Sequence, residues 1–256
     1  MTSEPIYHRY VALGDSFTEG VGDPDSRRPN GLRGWADRVA EVLATKSDDF
    51  GYANLAVRGR LLKPVIAEQL EPALKLQPDL ITIYAGGNDI MRPKVDLDHL
   101  VELYDAAIGR LSVTGARVVM FTGFDLGFAP VFGKLRGRVA IYNELVREVA
   151  ETHGATIVDY WRFREYRDDR YWDVDRLHMG TAGHQKMAIH VLDTLGISHD
   201  IKPPRLRAMS AQTKKERRDA DLAWAKGYAV PWVQRRIQGT SSGDTVKPKR
   251  PELAPI

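Results

Sequence analysis

The chain reads as an α/β protein: a three-layer α/β/α sandwich of flavodoxin-like type, with about five parallel strands and a helical, basic C-terminal extension. Three observations predict this. Short β-prone runs alternate with helical patterns through the first two hundred residues. Most of those runs lack the apolar/polar alternation of a half-exposed strand, as expected where both faces are covered. Right-handed crossovers between parallel strands then place helices on both sides of the sheet.

Tyr10-Val11-Ala12-Leu13 ends the first strand, and Tyr52 to Val57 is a weaker second. Leu80-Ile81-Thr82-Ile83-Tyr84 is the strongest, followed by Arg117 to Thr122 and Ala155 to Val158. Ala36, Val39, Ala40 and Leu43 mark a helix between the first two strands. Leu97, Leu100, Val101, Tyr104, Ile108 and Leu111 recur at helical spacing, as do Leu135, Val139, Tyr142, Val146 and Val149. Ala182 to Leu195 closes the series, with Gly196 as its stop. Residues 1–200 are thus the predicted main domain. Residues 201–238 form a helical, basic extension with Trp224 and Trp232 as apolar anchors. Residues 239–256, rich in Gly, Ser, Pro and Lys, read as a disordered tail.

The 256 residues contain no cysteine, which excludes disulfides, thiolate catalysis and Cys-based zinc sites. The net charge of +3 is unevenly spread. Residues 202–256 hold 13 Lys/Arg against 5 Asp/Glu, whereas residues 1–201 hold 24 against 29. The main domain therefore gives no reason to expect nucleic-acid binding. The N-terminus lacks a basic start followed by an apolar run, and no apolar stretch approaches the roughly 20 residues of a membrane span. A cytoplasmic location is the resulting expectation.

Four segments carry chemistry, and all fall where ligands bind such sheets, beyond the strands' C-terminal ends. Gly14-Asp15-Ser16-Phe17-Thr18-Glu19-Gly20 puts a serine at a strand-to-helix turn, where its hydroxyl can face a cleft. Alone it reads equally well as an ordinary turn, and Thr18 breaks the Gly-x-Ser-x-Gly elbow of α/β-hydrolases. Gly59, after the second strand, lets a backbone N–H approach a ligand. Gly86-Gly87-Asn88-Asp89, after the third, offers an amide that can donate to an oxyanion. In Asp175-Arg-Leu-His178 the acid can reach back within one turn to Nδ1, leaving Nε2 toward the serine. Asp173 and His184 are local rivals for those two roles.

In order and spacing, these segments together resemble the SGNH (GDSL) hydrolase family. The resemblance covers about residues 7–196, the main domain. It implies a carboxylic ester hydrolase with Ser16 as nucleophile, His178 as general base and Asp175 as its partner. It also implies an oxyanion hole formed by the Ser16 and Gly59 N–H groups and the Asn88 side chain. Asp15 and Asp89 fit the motifs as structural residues. No cofactor or metal is implied. One departure is Met179, where family members commonly have proline after the histidine.

Phe124, Leu126, Phe128, Val131 and Phe132 follow the fourth strand and could wall an acyl pocket. Such a wall suits short or medium acyl esters or lysophospholipid-like ones; a carbohydrate O-acetyl ester is the alternative within the same family. A phosphate- or flavin-binding module is the alternative of another class, but it leaves Asn88 and the Asp175/His178 pair unexplained. The cluster Lys214, Lys215, Arg217 and Arg218, with Arg235-Arg236 beyond, fits an acidic surface, a membrane or another subunit. A solvated helix packed on the domain through its tryptophans, Trp224 and Trp232, is the favoured reading.

Overall fold

The computed structural model describes residues 4–128, 132–208 and 213–256, together with the course of the chain, but not the side chains, at 236 and 237. Val131 lies outside the described residues, as does the side chain of Arg236.

The main domain is a three-layer α/β/α sandwich. Its strands are β1 (Arg9–Gly14), β2 (Gly51–Asn54), β3 (Leu80–Tyr84), β4 (Arg117–Phe121), β5 (Thr156–Val158) and β6 (Arg250–Ala254), in spatial order β5-β4-β3-β1-β2-β6. The first five are parallel, in flavodoxin-like order. Alternate residues of each strand feed two separate cores. Val11, Leu13, Ile81, Ile83, Val118 and Met120 face one side. There they meet α3 (Leu62–Val65), α4 (Glu71–Lys75), α6 (Leu97–Ser112) and α7 (Arg136–Thr152). Tyr10, Ala12, Tyr52, Leu80, Val119 and Phe121 face the other, against α2 (Gly34–Ala44) and α8 (Thr181–Leu195). Short helices α1 (Ser16–Glu19) and α5 (Gly87–Ile90) follow β1 and β3 at the sheet's C-terminal edge.

The crossover from β2 to β3 is a helical run that the sequence pattern does not disclose. Pro64 and Pro72 interrupt it. Pro72 has no N–H for the carbonyl of Glu68, and the chain widens into a π turn over Ile66–Leu70 just before it. The extension repeats this device. α9 (Lys214–Trp224) passes through a π turn at Ala225–Ala229 into α10 (Val230–Ile237), whose second residue is Pro231.

Two expectations are corrected. The sheet has six strands rather than five, and the sixth comes from the tail expected to be disordered. β6 pairs antiparallel with β2, Tyr52 opposite Ala254 and Asn54 opposite Arg250. An antiparallel edge strand tolerates Pro251, and Leu253 packs against the core. Just before it, Lys249 Nζ is buried, 3.0 Å from Asp37 Oδ1 and 2.8 Å from the Arg33 carbonyl. Composition alone counts that lysine as solvated; its burial is what ties the tail down. No helix among the described residues is long and apolar enough to cross a membrane.

Candidate active site

Three loops at the C-terminal edge of the sheet build the site. After β1, the Asp15 carboxylate caps α1 by accepting the Phe17 N–H at 3.0 Å, making Ser16 the first residue of that helix. After β3, Asn88 stands in α5 and donates through Nδ2 to Asp15 Oδ2 and to the Arg60 carbonyl, 3.0 Å each. Those bonds fix the amide between the nucleophile loop and the loop after β2. An oxyanion bound by this amide would have to share or displace one of the two acceptors. Asp89 accepts the Leu62 N–H at 3.0 Å, a structural tie to the same loop.

The third loop precedes α8. Asp175 Oδ1 accepts the backbone N–H groups of Leu177 and His178, both at 2.9 Å, while Oδ2 meets His178 Nδ1 at 2.5 Å. A single carboxylate thus folds the turn and orients the ring. Burial works against the Asp175 charge, but the bonds from His178 and the two backbone groups outweigh it and hold the carboxyl below its ordinary range. Asp175 is therefore ionised at neutral pH.

Of the two rivals, Asp173 lines the cleft, but the carboxylate on the His178 ring is that of Asp175. His184 is fully buried, and main chain takes both its ring nitrogens: Nδ1 accepts the Trp35 N–H at 3.2 Å and Nε2 donates to the Val21 carbonyl at 3.0 Å. Burial pushes its pKa down to about 4. Between that value and an unfolded value of about 6.5, the unfolded chain binds the extra proton, so stability falls as pH falls through this window. The expected loss is ~3 kcal/mol. Asp15, pushed up to about 7 by burial, contributes the opposite slope. The difference between the wild-type and His184→Gln melting curves from pH 7 to 4 isolates the histidine. Parallel curves would refute its burial as a neutral ring.

Ser16, Asn88 and His178 all line one cleft of about 1680 Å³. Phe124, Leu126, Phe128 and Phe132 line it too. Trp172 completes this wall, its ring centroid 4.8 Å from that of Phe124. Gly59 is not among the lining residues. It sits at φ +74 on the loop after β2, with Ser241 of the tail packed over its Cα. Arg58 beside it is clamped by Glu19, which is wholly buried on α1 and accepts both the Arg58 guanidinium and its backbone N–H, the latter at 2.7 Å. The Gly59 loop is thus tied to both the serine and the asparagine elements.

Sequence reasoning missed Glu19 and Arg58, since an ion pair between a buried glutamate and a part-buried arginine far along the chain leaves no local pattern. It also missed that Trp224 and Tyr228 enter the cleft. Their spacing with Trp232, every fourth residue, was the available signal of an aromatic stripe.

The doubly wound sheet thus carries Ser16 and His178 on one cleft, with Asp175 bonded to the histidine ring. A family model described as GDSL-like Lipase/Acylhydrolase matches residues 12–186, and the chain belongs to that family. Over 123 residues it is 28% identical to a multidomain esterase of Ruminococcus flavefaciens, 47% of this chain but 16% of that protein. The chain thus spans about a sixth of that relative's length. Among solved structures, the acetylxylan esterase Axe2 of Geobacillus stearothermophilus superposes with a TM-score of 0.61 at 19% identity, covering 77% of this chain and 98% of Axe2. TesA gives 0.58 at 21%, covering 73% and 97%. At such identities these likenesses show the fold.

Proposed function

We propose that the protein is a serine carboxylic ester hydrolase acting on esters with an apolar acyl chain. The observation that carries this is the 2.5 Å bond from Asp175 to Nδ1 of His178, a histidine that lines the same cleft as Ser16. Asp175 keeps the proton on Nδ1, so Nε2 is free to take the Ser16 proton as the hydroxyl attacks the ester carbonyl. General-base help of this kind contributes about 10²–10⁴-fold. The Ser16 N–H and the Asn88 amide, both on the cleft, receive the oxyanion, with the Gly59 N–H a third donor by family resemblance alone; each preorganised donor is worth about 3–4 kcal/mol. His178 then protonates the leaving alcohol, and water repeats the cycle on the acyl-enzyme. A phosphate or flavin module leaves the bonded His178–Asp175 pair without a role.

The acyl-chain reading rests on the cleft wall of Phe124, Phe128, Phe132 and Trp172. Each methylene buried there favours binding by about 0.8 kcal/mol, roughly fourfold. Along a series of p-nitrophenyl esters, kcat/KM is expected to rise roughly tenfold or more per two carbons from acetate to about hexanoate. Acetyl xylan esterases among the structural relatives make a carbohydrate acetate the competing substrate. Activity greatest on acetate and on acetylated xylooligosaccharides would decide for it. Failure to hydrolyse any ester, with no labelling by a serine-directed phosphonate, would overturn the hydrolase reading itself.

A further inference from the structure

The helical extension reaches the turn that carries the histidine. The Trp224 indole Nε1–H donates to the backbone carbonyl of Asp175 at 2.8 Å. Its ring lies beneath the Arg176 guanidinium, 5.2 Å from the centroid. Arg176 also pairs with Asp221, one turn earlier on the same helix, at 2.7 Å. The extension thus grips two consecutive residues of the Asp175–His178 turn.

That turn needs holding. Arg176 stands at φ +55, a left-handed conformation that is costly for a residue bearing a Cβ. From inside, the Asp175 carboxylate closes the turn on the Leu177 and His178 N–H groups. From outside, only the extension is seen to grip Asp175 and Arg176 among the described side-chain contacts. The extension is itself anchored beyond the helix. Gly243 packs so closely on the Arg58 carbonyl that a Cβ has no room, and buried Lys249 and β6 follow.

We propose that Trp224 is a positioning residue of the catalytic site: its indole N–H holds the Asp175 carbonyl and so keeps the Asp175–His178 turn in register with Ser16. The proposal rests on the hydrolase reading above for its catalytic meaning, and on the hydrogen bond alone for its structural meaning. A tryptophan that serves only as a packing anchor acts through its ring; a positioning tryptophan acts through its N–H. Trp224→Phe keeps an aromatic ring and removes the donor.

On p-nitrophenyl acetate, Trp224→Phe is expected to lower kcat about threefold to tenfold, the range for one lost hydrogen bond, with KM within about twofold. Amide exchange of Leu177 and His178 is expected to quicken by a similar factor, since opening of the turn exposes both N–H groups. An unchanged kcat beside an active wild type overturns the proposal, and so does unchanged exchange at those two amides. If the wild type hydrolyses no ester, the hydrolase reading falls, and the exchange measurement still decides whether Trp224 holds the turn.

Discussion

Ser16→Ala will abolish ester turnover, lowering kcat by about 10⁴-fold or more, while the protein melts as the wild type does. The separation of these effects follows from the local geometry. The α1 cap is made by Asp15 to the Phe17 N–H, and the Ser16 carbonyl serves the Gly20 and Val21 N–H groups. None of these bonds uses the Ser16 hydroxyl, so removing it leaves the turn intact. What is lost is the atom that would form the acyl-enzyme in the proposed reaction. Residual rate above background would come from the oxyanion donors and from binding. Labelling by a fluorophosphonate should vanish in the same variant. Near-wild-type turnover by Ser16→Ala would remove the nucleophile assignment, and with it the meaning of the His178–Asp175 bond.

The sandwich was legible because its signals are local. Strongly apolar strands such as Leu80–Tyr84 and helices such as Leu97–Ser112 carry their period in consecutive residues. The Asp175–His178 pair was legible for the same reason: the aspartate stands three positions before the histidine, within one turn. The parts that escaped depend on contacts between segments far apart in the chain. Lys249 finds Asp37 across more than two hundred residues, turning a Pro- and Lys-rich tail into a sheet edge. Glu19 finds Arg58 on another loop. Pro72 concealed the crossover helix because the π turn that accommodates it breaks the 3.6-residue pattern. Trp224 was read as an anchor, but its N–H bond to the Asp175 carbonyl could not be read from spacing. Gly59 was placed in the oxyanion hole by resemblance. The geometry adds what its neighbours do, with Arg58 tied to Glu19 and Arg60 to Asn88.

Asp175→Asn will fold as the wild type and lose about 10³–10⁴ in kcat. The asparagine keeps one carbonyl oxygen, which can still accept the Leu177 and His178 N–H groups now served by Oδ1. The turn therefore survives. Its NH₂ then occupies the place of Oδ2, 2.5 Å from His178 Nδ1 in the wild type. Two donors cannot share that contact, so the ring must present a lone pair at Nδ1 and carry its proton on Nε2. In that tautomer His178 cannot accept the Ser16 proton, although every heavy atom stands close to its original place. Asp175→Ala should match the loss in kcat but also melt earlier, because it surrenders both bonds that close the turn. Asp173→Asn should lose far less, since the Asp173 carboxylate makes no bond to the His178 ring. Wild-type activity in Asp175→Asn, with Asp173→Asn inactive, would transfer the orienting role to Asp173.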